Sequence, residues 1–266
     1  KNNLIPVFAD VEELTYCINV SQIENLINEN TVAILAPNLL GNLCDWKSIR
    51  EIANKYNLLV IEDSADTLGG EIDNQPSGIF TDMSITSFYG SHIINCAGNG
   101  GALAINDNRV MERSKLLRSW GRSSSLFDEN SESIDNRFNI NLDGIDYDAK
   151  FVFEKIGYNL EGSEIGAAFG LIQLKKLIEN IKIRKENFRK QVNFFKSYGN
   201  FFKTPVEKSN HYSGWLAFPI IINEDAPFER KDFQIFLEKS IQIYLRIKFQ
   251  ILKIFFVMTM IIKILN

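Results

Sequence analysis

Residues 58–67 read LLVIEDSADT, and this stretch decides the fold. An apolar run of four residues ends abruptly in carboxylates. A run this short and continuous predicts a buried strand over Leu58–Glu62, of the kind found inside parallel sheets. Asp63 comes directly after it. A carboxylate at the carboxyl end of such a strand points into the crevice where open α/β sheets hold ligands. Working outward, Val32–Ala36, Met83–Phe88 and Gly101–Ile105 read as further strands, and Leu4–Phe8 as another. Val20–Asn28 has helical spacing, Asp45 is placed to cap a helix over Trp46–Tyr56, and a third helix is expected from Arg109 to Trp120. Strands alternating with helices predict an α/β fold with a parallel-rich sheet covered on both faces.

The totals narrow the function classes. A chain of 266 residues with net charge -4 carries no basic excess for nucleic acid. The three cysteines, at 17, 44 and 96, form no CxxC pair, so neither a disulfide framework nor a zinc site is expected. No signal peptide opens the sequence, and a cytoplasmic location is expected. Residue 1 is Lys and Leu4–Phe8 is already strand-like, so the sequence is expected to begin inside a domain. Residues 121–150 form a polar insertion, read as a functional loop or a disordered one. A helical pattern from Ser163 to about Asn200 is too long to be one helix, and a break is expected near 178–182. A strand is expected over Tyr212–Ile222. The domains predicted are a large one over 1–178, the start of a smaller C-terminal α+β domain over 179–240, and a low-complexity basic and apolar tail over 241–266. The longest uncharged run of that tail, Ile254–Ile262, is too short to span a bilayer. A membrane-surface helix is the alternative for it, and no membrane partner is expected.

The side chains able to do chemistry gather after the strands. Asp63, Asp66 and Thr67 could face a ligand or simply cap a helix or turn. Ser87 could bond a phosphate or a ring oxygen. His92, in SFYGSHIINCAGNGG (87–101), could be a structural histidine or a proton carrier near neutral pH. The glycines at 98, 100 and 101 match neither a P-loop nor GxGxxG.

Taken in order, IEDSAD (61–66), SFYGSH (87–92), GNGG (98–101), WGR (120–122) and IGYNLEGSEIGAAFGLIQLKKL (156–177) resemble the DegT/DnrJ/EryC1/StrS sugar aminotransferases. NLLGN (38–42), RKENF (184–188) and GWLAFPI (214–220) fit the same order. The resemblance implies a fold-type I, aspartate aminotransferase-like architecture and pyridoxal 5'-phosphate or pyridoxamine 5'-phosphate as cofactor. The family places a Schiff-base lysine five residues after the serine of SF. His92 stands there, and no lysine occurs between Lys55 and Lys115. In this the sequence resembles the nucleotide-linked 4-keto-6-deoxyhexose 3-dehydratases. That branch implies a non-covalently held pyridoxamine phosphate, with Asp63 on the pyridine nitrogen and His92 as the base that replaces the lysine. Asp66 is implied at the ring hydroxyl, Ser87 at the phosphate or that hydroxyl, and Asn159 at the phosphate of a partner subunit's cofactor. A homodimer follows.

One dehydratase subgroup carries an iron–sulfur cluster on cysteines after WGR. Here that stretch is Gly121-Arg-Ser-Ser-Ser125, so no iron–sulfur cluster is expected. Asn99 stands where the family commonly has Glu, and Glu161-Gly-Ser163 alters the usual continuation of GYN. The family's phosphate-binding loop before residue 4 has no counterpart, nor do its segments after about Gln242. The chain is therefore expected to be a fragment of the parent enzyme. A sugar aminotransferase and an inactive relic are the competing readings.

Overall fold

Aliphatic side chains at alternate positions of a strand need one covered face, and amphipathic helices supply it here. The structure, a computed structural model, describes residues 3–127, 133–249 and 262–263. Helix α1 (Val20–Leu26) precedes strand β1 (Ala33–Pro37), helix α2 (Trp46–Tyr56) and strand β2 (Leu59–Asp63). Two short strands follow, β3 (Glu71–Ile72) and β4 (Gln75–Pro76). Then come β5 (Met83–Ser87), β6 (Gly101–Ile105) and helix α3 (Asn108–Arg118). The main sheet has the order β1-β2-β5-β6. The first three strands are parallel, and β6 runs antiparallel at the edge.

Helix α2 turns Trp46, Ile49 and Ala53 inward, and all three are completely buried. They share one core with Ile34 and Ala36 of β1 and Val60 of β2. Asp45 starts the helix by accepting from the Ser48 amide, and Asn57, in the left-handed region at φ 54°, ends it. Lys208 also reaches Asp45, at 2.5 Å. Burial opposes ionisation of Asp45, but the bonds from Lys208 and Ser48 outweigh it and hold the carboxyl below its ordinary range. Asp45→Ala is expected to cost about 1 kcal/mol at neutral pH. Because the folded pKa is depressed, that contribution is present above the unfolded value and lost as pH falls through the folded one. Thermal melts of both proteins should therefore converge in acid.

The other face of the sheet is only partly covered among the described residues, with Ile61 and Met83 half-buried and several leucines exposed. Leu35 is 57% exposed, Leu59 49% and Leu103 47%. The strand expected at Leu4–Phe8 does not form. Its side chains stand in solvent, and Pro6 removes one of the amides a ladder would use.

The insertion has its own structure. A 3-10 turn over Ser123–Leu126, helix α4 (Ile134–Arg137) and the hairpin of β7 (Ile140–Leu142) with β8 (Ile145–Tyr147) fill most of it. Residues 128–132 lie outside the described residues. The long helix breaks at 175–176, slightly before the expected place, into α5 (Glu164–Leu174) and α6 (Leu177–Lys196). No Gly or Pro marks that break.

A second core gathers Phe188, Phe202, Trp215, Phe218, Ile220 and Ile222, with the Phe188 and Trp215 rings stacked at 4.3 Å. The strand expected over Tyr212–Ile222 is instead two short ones, β10 (His211–Tyr212) and β11 (Ile220–Ile222), after β9 (Phe202–Lys203). Between them the chain leaves the extended path. The Leu216 and Ala217 amides donate to the carbonyl of Leu40, at 2.9 and 3.2 Å, rather than to a neighbouring strand. Helix α7 (Arg230–Phe249) carries the first nine residues of the expected tail, and Ile262–Lys263 (β12) pairs with β11. The rest of the tail lies outside the described residues. Among the described residues, no helix is long and apolar enough to cross a membrane.

Candidate functional site

Strand β2 divides its two acidic residues between the faces of the sheet. Val60 and Glu62 point to the covered side, where Glu62 is completely buried. Its Oε1 accepts from Asn38 Nδ2 at 2.7 Å and from the hydroxyls of Ser64 and Ser77, each at 2.5 Å. Asn38 Oδ1 in turn accepts from the Trp46 indole and the Cys44 amide. Asp63 is therefore on the open side, and it is the last residue of β2 rather than the first beyond it. It pairs across to Ile85 of β5. Ser87, two residues further along, shares that face at the same end of the sheet. This places Asp63 and Ser87 together at the carboxyl ends of parallel strands.

Asp63 does not cap a helix. Its Oδ1 accepts from the Ala65 amide at 3.0 Å, closing a tight turn that brings Asp66 round. Asp66 Oδ2 accepts from the Leu40 amide at 3.0 Å. Burial raises the Asp66 carboxyl above its usual range, the Leu40 amide and His92 pull it down, and Asp63 pushes it up. Asp66 thus lies within reach of the charges of both His92 and Asp63. Ser87 Oγ accepts from the Tyr89 amide, the Tyr89 carbonyl accepts from the His92 amide, and the two rings meet edge to face at 6.3 Å. His92 Nδ1 is buried and has no hydrogen-bond partner among the described residues.

The loop bearing His92 is pinned from behind. Phe88 donates to Gly100 and accepts from the Cys96 amide. Cys96 sits against α5, where a Cβ on Gly166 would stand 2.8 Å from the Cys96 carbonyl, and one on Gly170 would stand 2.3 Å from its sulfur. The small residues of EIGAAFG let helix and loop touch.

Four of the five residues singled out in the sequence, Asp63, Asp66, Ser87 and His92, converge in this way. Asn159 does not join them. It is exposed and lies in an extended segment bridged to Ser119. Sequence reasoning missed Glu62 and Leu40. The signal for Glu62 was present in the alternation Leu58, Val60, Glu62, which puts it on the buried face. Leu40 carried none, because its role is played by its backbone. It takes φ 59° so that its amide meets Asp66 while its carbonyl meets Leu216 and Ala217.

The chain is similar to several known proteins. The DegT/DnrJ/EryC1/StrS aminotransferase family profile matches residues 1–255. The lipopolysaccharide biosynthesis protein RfbH of Salmonella typhimurium is 34% identical over 242 residues, 90% of this chain and 55% of that protein. The dTDP-4-dehydro-2,6-dideoxy-D-glucose 3-dehydratase of Saccharopolyspora spinosa is 32% identical over 240 residues, 90% of this chain and 52% of that one. An enzyme of the other kind, the GDP-perosamine synthase of Caulobacter vibrioides, is 31% identical over 180 residues, 68% of this chain and 42% of that one. Among solved structures, Escherichia coli GDP-4-keto-6-deoxy-D-mannose-3-dehydratase with bound hydrated pyridoxal phosphate superposes with TM-score 0.75 at 26% identity. The match covers 88% of this chain and 57% of that one. The chain spans about half the length of the curated relatives it matches. With its mixed, parallel-rich sheet and this matched length, the chain belongs to the DegT/DnrJ/EryC1/StrS aminotransferase family, a pyridoxal-phosphate-dependent family of aminotransferase-like fold.

Proposed function

We propose that the chain carries the cofactor-binding half of a 3-dehydratase that removes the C3 hydroxyl of a nucleotide-linked 4-keto-6-deoxyhexose. The observation that carries this reading is His92, set beside Asp66 where the family's cofactor lysine would stand. The residues fit the group. An imidazole with an unpartnered buried Nδ1, an open-face carboxylate and a serine hydroxyl surround one end of the sheet. When bound, pyridoxamine phosphate supplies an amine that condenses with the sugar ketone and a ring that takes up electrons.

The chain's own residues do the rest. Asp63 holds a proton on the pyridine nitrogen by its negative charge. His92 takes a proton from the cofactor's C4' carbon as general base. Asp66 binds at the ring hydroxyl, and Ser87 at the phosphate or that hydroxyl. Asn159 reaches the phosphate held by a second copy. Exposed Ile165, Phe169 and Ile172 on α5 support such a homodimer. In this reading residues 1–178 form the cofactor domain and 179–240 open the smaller one. The enzyme acts in the cytoplasm in deoxysugar or O-antigen synthesis, with no iron–sulfur cluster, nucleic acid or membrane taking part.

The aminotransferase reading is favoured by relatives such as the perosamine synthase. The two separate in one assay. The complete gene product is mixed with pyridoxamine phosphate and GDP-4-keto-6-deoxymannose. A 3-deoxy ketosugar is the expected product, and a 4-aminosugar would refute the proposal.

A further inference from the structure

Glu62 faces away from Asp63 and the site, and its place is a costly one. The covered side of this stretch otherwise carries Leu58 and Val60, and another aliphatic residue would pack there with no polar atom to satisfy. A carboxylate sealed from water is tolerated only where donors meet it. Here three donors meet one oxygen. Asn38 Nδ2 reaches Oε1 at 2.7 Å, and the hydroxyls of Ser64 and Ser77 reach it at 2.5 Å each. All three donor residues are buried, and Asn38 Nδ2 also donates to Ser64 Oγ at 3.0 Å. Oε2 is buried with no partner among the described residues. The donors come from different segments. Asn38 opens the loop that carries Leu40, and its backbone amide donates to the Asp63 carbonyl at 2.9 Å. Ser64 opens the turn that carries Asp66, and Thr67 closes on it, amide to carbonyl at 3.1 Å and hydroxyl to hydroxyl at 3.2 Å. Ser77 begins the 3-10 turn that follows β4.

We infer that Glu62 is a positioning residue for Asp66: its Oε1 fastens the loop that supplies the Leu40 amide to the turn that supplies the Asp66 carboxylate. Leu40 and Asp66 meet at 3.0 Å, and each lies two residues beyond a side chain that Glu62 holds. The Leu40 bond also draws the buried Asp66 carboxyl back toward ionisation. The clamp on the covered face thus sets where a carboxylate on the other side of the turn lies. Only its consequence for cofactor binding rests on the function proposed above.

The test follows hydrogen exchange of the Leu40 amide in the full chain, made with isotope-labelled leucine. Glu62→Met, close in size but without an acceptor, should speed that exchange by about tenfold or more. Glu62→Gln keeps an acceptor in the Oε1 place and alters only the oxygen without a partner, so its exchange should stay near the parent's. Ser64→Ala cuts the clamp on the side of the turn and should also speed exchange. Ser77→Ala takes a donor from the same oxygen but belongs to neither segment, and should not. The amides of Leu58, bonded to the Ala53 carbonyl at 2.8 Å, and of Leu116 in α3 report that the fold is kept. If Glu62→Met does not fold, the two serine variants decide. Unchanged Leu40 exchange in folded Glu62→Met or in Ser64→Ala would overturn the inference. So would equal effects of the two serine variants, which a general loosening of the core would give. In the complete gene product, Glu62→Met should further weaken pyridoxamine phosphate binding about tenfold in equilibrium dialysis, with Glu62→Gln restoring it. A complete parent protein that binds none would refute the proposed function, while the exchange of Leu40 would still decide the role of Glu62.

Discussion

His92→Lys is expected to abolish 3-deoxygenation and to make the cofactor covalently attached. Imidazole can shuttle a proton but cannot form an imine, whereas a primary amine five residues after Ser87 can do both. The loss in kcat/KM should be about 10²–10⁴-fold, the usual value of a positioned general base. The second half of the expectation does not depend on turnover. Borohydride treatment with pyridoxal phosphate should fix the cofactor to the peptide containing residue 92 in the variant and leave the parent unlabelled. The scaffold favours a clean result, because the loop is pinned through Phe88, Gly100 and Cys96, none of which the substitution touches. Retained deoxygenation in the variant would remove His92 from the chemistry.

Gly41→Ala should be strongly destabilising. Gly41 lies at φ 96°, and an added Cβ would stand 2.3 Å from the Leu216 amide nitrogen and 2.5 Å from the Trp215 Cα. Both neighbours are backbone, so no side chain can swing aside. A strained left-handed residue costs about 1–2 kcal/mol, and overpacking adds about 1–3 kcal/mol. The expected loss is about 2–5 kcal/mol, read as a lower midpoint in urea. The damage should also reach the site. The 38–42 loop meets Leu216 and Ala217 on one side and Asp66 on the other through Leu40. Cofactor affinity should therefore fall with stability. A melt unchanged within error would show that the contact is softer than the geometry implies.

The parts of the fold and site legible in the sequence share a physical cause, which is local. Asp45 before an amphipathic stretch, the aliphatic runs at 33–37 and 59–63, and the placement of Asp63 and Ser87 at the carboxyl ends of strands all follow from period and capping. His92 stood out by what it replaced. What stayed hidden depended on distant partners. Leu4–Phe8 has a strand's composition but no neighbour to pair with among the described residues. The 213–219 segment is apolar enough for a strand, yet spends its amides on Leu40. The antiparallel sense of β6 and the partial exposure of one sheet face depend on which elements lie alongside, and a single strand's pattern does not contain that.

The three tryptophans occupy three different surroundings, and this makes the chain its own spectroscopic gauge. Trp46 is sealed in the first core with its indole bonded to Asn38. Trp215 is stacked on Phe188 in the second and bonded to Glu207. Trp120, 38% exposed, lies beneath the Arg122 guanidinium. Single-tryptophan variants would therefore emit at different wavelengths in the native state. Their fluorescence traces would show whether the two cores melt together or one after the other.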